Sequence, residues 1–246
     1  MKVRIRVVNA VAKGVLDDSI LPAVPEFVKL ECDWLDEGPT SIECRVDDSM
    51  AVPHILKKVR QAADDRVDGI LVNCFMDPGV EAARELVRVP VVGAAQPAMA
   101  LACTLGQRFS VILPAKSGIP IVREQAARYG VAHALASVRS VEMPVAELSD
   151  HDRLARELAR EAEKAVRDDD AHVIVLGCTG MAYITARFAL AIADSGVDVP
   201  VLDPTLAGIG WLVAVNTLGT THSERTYSLP PWRTTREREV SGEPDR

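Results

Sequence analysis

A repeat constrains the fold more than any single segment. Gly69-Ile-Leu-Val-Asn-Cys74, a helix-length stretch and Val89-Pro-Val-Val-Gly93 are echoed by His172-Val-Ile-Val-Leu-Gly-Cys178, a second helix-length stretch and Val199-Pro-Val-Leu-Asp203. Each block reads as a buried β-branched strand, a cysteine, a helix and a Val-Pro-Val strand, the order of βα units on a parallel sheet. The spacing extends upstream: a first strand ending at Asn9 lies 65 positions before Cys74, and Phe109-Ser-Val-Ile-Leu-Pro114 ends 64 positions before Cys178. The fold class that follows is α/β, two pseudo-symmetric βα lobes each with a mostly parallel sheet flanked by helices. Ligands of open α/β sheets bind at the C-terminal strand ends, which places the active site in the cleft between the lobes.

Strands are expected near 3–9, 69–73, 89–93, 109–113, 135–141, 172–176 and 199–202, and helices over 49–65, 78–87, 97–105, 117–129, 149–168, 181–194 and 204–218. Ser149 is read as the cap of the fifth helix, with Asp150 and Asp152 complementing its dipole. Asp77 is read as the N-cap of the helix after Cys74, because Pro78 follows it. Residues 1–95 with 205–220 form the first lobe and 96–204 the second, while 221–246, with Pro230, Pro231, Pro244 and mixed charges, read as a surface-packed or disordered tail.

Composition narrows the function. The 246 residues are 48% apolar, enough for a sizeable core, and carry a net charge of −7 with only 4% aromatics. That balance speaks against a nucleic-acid or anionic-membrane partner and leaves a small-molecule substrate. The longest uncharged run, Val89 to Gln107, is broken by Pro90, Gly93, Pro97 and Gly106, so it is a strand, loop and helix and not a membrane span. The first ten residues read as an edge-to-core strand and not a signal peptide. Five scattered cysteines with no C-x-x-C pair fit reduced thiols in a cytoplasm. His54, His133, His151, His172 and His222 show no ligand spacing, and no metal is assigned.

Cys74 and Cys178 stand apart from the other cysteines by their matched positions. A sulfur just after a strand and just before a helix lies near unpaired backbone N–H groups and the positive end of the helix dipole. Both favour thiolate and bring a pKa of roughly 8.5 toward neutrality. Two such sulfurs flanking a carbon can invert it without metal or cofactor, one removing the hydrogen and the other returning a proton to the opposite face. Cys32, Cys44 and Cys103 are read as small buried hydrophobes. Asn9 is either a substrate ligand or a turn residue, and Thr179 bonds either the substrate or the next turn.

The run Asn73-Cys74-Phe75-Met76-Asp77-Pro78-Gly79 with Glu81-Ala82-Ala83-Arg84-Glu85-Leu86, the strand Pro90-Val91-Val92-Gly93, Leu105-Gly106 before Phe109-Ser110-Val111, and Leu176-Gly177-Cys178-Thr179-Gly180-Met181 resemble the aspartate/glutamate/hydantoin racemase superfamily. Together with Gly38-Pro39 and Ser41-Ile42-Glu43, they look most like its hydantoin (allantoin) racemase branch, over roughly residues 1 to 220. The resemblance implies a racemase or epimerase acting on a 5-substituted hydantoin-like ring by a cofactor-independent two-base mechanism, with catalytic thiols at Cys74 and Cys178. It implies that backbone amides of Phe75, Thr179 and Gly180 hold the ring, and it expects a homo-oligomer. Asn9, Asn73 and Gly177 complete the candidate substrate-binding set. Three loops depart from the branch pattern, at Ala10-Val11-Ala12, Gln96-Pro97 and Leu113-Pro114, each losing hydrogen-bonding groups from what are read as site-lining positions. An amino-acid racemase or maleate-isomerase-like enzyme is the alternative within the superfamily, and a catalytically silent small-molecule binding protein is the alternative outside it.

Overall fold

A computed structural model describes residues 2–14, 22–194 and 196–231. Its strands form two four-stranded sheets in which every pairing is parallel. The first sheet contains β1 (Val3–Ala12), β2 (Val28–Leu35), β3 (Gly69–Asn73) and β4 (Val91–Gly93) in the order β2-β1-β3-β4. The second contains β5 (Phe109–Leu113), β6 (Leu135–Ser140), β7 (Val173–Leu176) and β8 (Val201–Leu202) in the order β6-β5-β7-β8. The two orders are one pattern, so the sequence repeat is a repeat of topology. It persists at the prolines: the Ile70 N–H donates to the Pro90 carbonyl and the Ile174 N–H to the Pro200 carbonyl, each at 2.9 Å. Proline has no N–H for a ladder, so it stands just ahead of an edge strand and contributes only its carbonyl. The edge strands accordingly begin at Val91 and Val201, two residues later than the sequence suggests.

β2 has no counterpart among the seven strands expected from the sequence. It alternates Val28, Leu30, Cys32 and Trp34 with Lys29, Glu31 and Asp33, a period-two pattern unlike the continuous apolar run of β7 or of β3 up to Asn73. Its charges serve an ion-pair cluster, in which the Arg6 guanidinium reaches Asp33 at 2.7 Å, Glu31 at 2.9 Å and Asp65 at 3.0 Å. Hydrogen bonds from Lys29, then Arg6 and Arg4, hold the Glu31 carboxyl down to about 2. With β2 outside it, β1 is a central strand from end to end.

Helices cover both faces of each sheet. α1 (Arg45–Asp64) and α2 (Val80–Leu86) pack on one face of the first sheet; α3 (Ala95–Leu105) and α4 (Ile119–Arg128) pack on one face of the second. α5 (His151–Asp169) and α6 (Thr185–Asp194) cover the second sheet's other face. The remaining face of the first sheet is covered by α7 (Pro204–Thr217), whose Ile209 and Leu212 bury against Ile5, Val7, Leu71 and Val92. Both helices that follow a Val-Pro-Val strand therefore cross over: α3 leaves the first sheet to bury Ala95, Ala98 and Met99 on the second, and α7 leaves the second to pack on the first. Gly208 lets α7 lie close, since a Cβ there would stand 2.6 Å from Leu71 Cδ1.

Helix starts differ locally from expectation. α5 is capped by Asp150, which accepts the Arg153 N–H at 3.1 Å, and not by Ser149, because the helix begins at His151 and places Asp150 in the capping position. α6 begins at Thr185 after a 3₁₀ segment, Thr179–Ile184, that occupies the expected start. α1 begins four residues early, at Arg45, with the Cys44 thiol donating to Asp47 Oδ2 at 3.3 Å. Cys44 is thus part of a helix start and not a buried hydrophobe, and both Cys32 and Cys103 keep some exposure. Among the described residues no helix is long and apolar enough to cross a membrane.

The described part of the tail, 221–231, packs on the surface along the β4 edge; residues 232–246 lie outside the described set. The Val91 N–H donates to His222 Nε2 at 2.6 Å, and the His222 ring stacks on Trp211 with centroids 6.2 Å apart. Tyr227 accepts from Arg84 at 3.1 Å on its far side. An acceptor imidazole must be neutral, and burial, helped by the Arg84 charge, holds the His222 pKa down to about 4. The folded value lies below the unfolded one, so this stabilisation is complete above about pH 6.5 and is lost as pH falls toward 4. His222→Gln keeps an acceptor but does not titrate. The thermal midpoint of the variant is expected to fall less between pH 6.5 and 4 than that of the parent, and equal slopes would remove His222 from the acid response.

Candidate active site

The C-terminal ends of β1, β3, β5 and β7 converge on one cleft of about 780 Å³, counted with its open mouth. Every candidate residue from the sequence lines it: Asn9, Asn73, Cys74, Phe75, Gly177, Cys178, Thr179 and Gly180. The topology explains this convergence, because β3 and β7 occupy equivalent places in the two sheets and each ends beside its cysteine.

At the first cysteine the chain turns sharply. The Asp77 N–H donates to the Cys74 carbonyl at 3.1 Å, and both Asp77 (φ 51°) and Gly79 (φ 65°) take left-handed conformations. Gly79, and not Asp77, precedes the first residue of α2. The Asp77 carboxylate instead caps α3, accepting the Ala95 N–H at 2.8 Å and the Gln96 N–H at 3.1 Å, together with the Tyr129 hydroxyl at 2.7 Å. The cysteine loop of one sheet is thereby fastened to the helices of the other. Gly93 is obligatory beside it, since a Cβ there would stand 2.2 Å from Asp77 Oδ1.

At the second cysteine the Gly177 N–H donates to the Ile112 carbonyl at 2.8 Å. A Cβ on Gly177 would stand 2.6 Å from Leu113 Cδ2 and 2.9 Å from the Ile112 oxygen, so only glycine lets β7 tuck against β5 and present Cys178. A buried chain of neutral groups ties the strand ends together. Asn73 Nδ2 donates to Asn9 Oδ1 at 2.9 Å, and Thr205 Oγ1 donates to Asn73 Oδ1 at 2.9 Å. Asn9 Nδ2 donates to Cys32 Sγ at 2.9 Å, and Thr179 Oγ1 crosses to the Asn73 carbonyl at 3.3 Å. The Asn9 and Asn73 amides are therefore engaged within the protein, where they hold the two strand ends in register.

Burial pushes both thiols up. It outweighs the Met76 N–H that donates to the Cys74 sulfur, and the Gly180 and Met181 N–H groups that donate to Cys178. Cys178 rises to about 11, assisted by the Glu43 charge, and Cys74 rises further because the Cys178, Asp77 and Asp48 charges add to its burial. Both residues keep some accessible surface, but their sulfurs sit deep enough to lose most of their hydration. Desolvation exceeds what the one N–H donor at Cys74 and the two at Cys178 return, and moves both thiols away from the near-neutral values expected of the helix-end position.

The walls are mainly apolar, with Val11, Ile42, Met76, Pro114 and Val145 prominent. Of the three departing loops, Ala10-Val11 and Leu113-Pro114 face the cleft. Gln96 does not; its side chain accepts from Arg84 at 3.0 Å, on the far side of the Asp77 cap. Residues from distant segments that the sequence reading did not assign complete the wall, among them Thr40, Ser117 and Val145. Thr205, behind the wall, follows an Asp-Pro helix start, a signal that marks a helix and not a site. Among the described residues no group of three or more His, Cys, Asp or Glu side chains is placed to hold a metal ion.

Residues 12–211 match the family model described as Asp/Glu/Hydantoin racemase. A hydantoin racemase of Rhizobium meliloti is 37% identical over 196 residues, 79% of each chain. A hydantoin racemase of Paenarthrobacter aurescens is 31% identical over 238 residues, 92% of this chain and 97% of that one. Among solved structures, allantoin racemase from Klebsiella pneumoniae matches with a TM-score of 0.85 at 28% identity, covering 94% of both chains.

Proposed function

This chain belongs to the Asp/Glu/hydantoin racemase family and is an isomerase of the racemase class, and we propose that it inverts the acidic C–H stereocentre of a 5-substituted hydantoin-like ring with Cys74 and Cys178 as opposed acid and base. The observation that carries this reading is the placement of both sulfurs, at equivalent strand ends, on one apolar cleft. The pair works in its singly ionised form. The thiolate takes the ring C–H proton, and the carbanion's charge spreads to the adjacent carbonyl oxygen. The opposite thiol then gives its proton to the other face, leaving the charge on the second sulfur. Return of one proton between the sulfurs through solvent restores the starting state.

The main-chain N–H groups of Phe75 and Thr179 hold the ring carbonyl where charge develops, an interaction worth about 3 kcal/mol per preorganised donor, beside the Gly180 N–H, which donates to the Cys178 sulfur. Asn9, Asn73 and Gly177 shape the floor beneath it. A cyclic, uncharged substrate suits the wall better than a free amino acid. Among the described lining residues Glu43 is the one charged side chain, and no Lys or Arg stands there to pair a substrate carboxylate. The thiols work in the cytoplasm, in a homo-oligomer, and need no cofactor.

Single enantiomers of a slowly self-racemising 5-alkylhydantoin in heavy water test the proposal. Optical rotation is expected to decay to zero with one deuterium entering C5, while L-aspartate and L-glutamate keep their rotation. Decay no faster than in buffer alone would overturn the assignment.

A further inference from the structure

Glu43 is the one charged side chain among the described residues in the wall of the cleft, and its surroundings are unusual. Its backbone is held from both sides: its N–H donates to Asp47 Oδ2 at 3.1 Å, and its carbonyl accepts from Ser117 Oγ at 2.9 Å. Ser117 belongs to the 3₁₀ turn Lys116–Gly118 ahead of α4, across the cleft from α1. Two residues on, Arg45 repeats the crossing, with its Nη2 bonded to both oxygens of Glu124 at 2.7 and 2.8 Å. The Glu43 carboxylate, by contrast, has no hydrogen-bond or ion-pair partner among the described residues, although it is half-buried and lines an apolar cleft beside Cys178.

A main chain tethered at both ends with an unpaired carboxylate between them leaves a fixed acceptor aimed at the cleft for a donor carried by a ligand. The amides next to the cysteines are donors and serve ring carbonyls. None of them can serve a ring N–H, which requires an acceptor. We propose that Glu43 is a specificity-determining residue that accepts a ring N–H of the substrate. The proposal rests on the cyclic substrate argued above and adds the group that recognises its donor edge. Bonding at that edge also keeps the carboxylate away from the carbonyl oxygen on which negative charge accumulates. The same negative charge helps keep Cys178 protonated before the substrate arrives.

The test compares kcat/KM for a 5-alkylhydantoin and its N1-methyl and N3-methyl derivatives in the parent protein, Glu43→Gln and Glu43→Leu. A hydrogen bond to a charged acceptor corresponds to roughly 10- to 100-fold, so the parent is expected to disfavour one of the methyl derivatives by about that factor. In Glu43→Leu the ratio is expected to collapse toward one, mainly through loss on the N–H substrate, with the methyl derivative still turned over by an intact cysteine pair. Glu43→Gln, which keeps a carbonyl acceptor without the charge, is expected to fall between. A leucine variant that discriminates as strongly as the parent overturns the role of Glu43, and so does one that slows equally on all three substrates. If the leucine variant does not fold, as judged by circular dichroism, unchanged selectivity in Glu43→Gln overturns it. A parent protein that racemises none of the three compounds overturns the ring substrate itself, a result separate from any difference among the variants.

Discussion

Cys74→Ser and Cys178→Ser are each expected to lower racemisation by about 10³-fold, the usual worth of a positioned acid or base, because a serine hydroxyl neither ionises nor gives up its proton readily at accessible pH. The residual activities should differ in kind. Each variant keeps one sulfur, which can still exchange the C5 hydrogen of the enantiomer that presents it to that face. Deuterium should therefore wash in with retained configuration, for one enantiomer in Cys74→Ser and for the opposite one in Cys178→Ser. Proton NMR of single enantiomers in heavy water measures this directly. Two variants that exchange the same enantiomer, or that keep racemising, would remove the two-face assignment.

The raised thiol pKa values add a pH signature. Cys178 reaches about 11 and Cys74 lies higher, so near neutral pH the singly ionised pair is a minor species. The group is an acid whose base form is active and whose pKa is elevated, so log kcat/KM is expected to climb about one unit per pH unit above neutrality. It levels off only as the pair takes its first charge. A second ionisation would destroy the acid, and mutual repulsion of the sulfurs postpones it.

Asp77→Ala is expected to be among the most destabilising single changes outside the hydrophobic core. The carboxylate satisfies two N–H groups at the start of α3 and the Tyr129 hydroxyl, all around a buried site. Removing it leaves these donors without partners at about 1 to 3 kcal/mol each. Burying the carboxyl is itself costly, as its raised pKa shows, so the net loss is kept near 3 kcal/mol. For a chain of this size that corresponds to roughly 10 °C in thermal midpoint. Because Asp77 also shapes the turn after Cys74, racemase activity should fall further than the unfolded fraction explains. Asp77→Asn, which keeps one acceptor oxygen, should recover part of both losses. A midpoint for Asp77→Ala within about 2 °C of the parent would show that the cap carries little.

Most of the framework was legible because parallel strands buried on both faces read as continuous apolar runs. β7 is such a run, β3 and β5 are interrupted only by Asn73 and Ser110, β1 is one from Val7 to Ala12 apart from Asn9, and the Val-Pro-Val segments mark the strands beyond them. β2 was not legible in those terms. As an edge strand it alternates, and Lys29, Glu31 and Asp33 look like loop until Arg4 and Arg6 are placed opposite them. Capping shows the same limit. Asp77 beside Pro78 has the local signature of an N-cap, yet the N–H groups it serves lie 18 and 19 positions away. Local sequence names the donor or acceptor type; the fold chooses the partner.

The repeat by itself pointed to two equivalent halves, each ending a central strand near a cysteine, and to a cleft shared by both, since ligands of open α/β sheets bind at the C-terminal strand ends. Only the tertiary structure decided how those cysteines behave. Their position at helix starts argues for thiolate, but the packing that brings the lobes together strips water from both sulfurs. Desolvation depends on all the surrounding atoms and not on the neighbours in sequence, and it outweighs the local N–H donors. The same packing turned Glu43 from one more acidic residue before a helix into an unpaired carboxylate facing Cys178, because its surroundings come from both lobes at once.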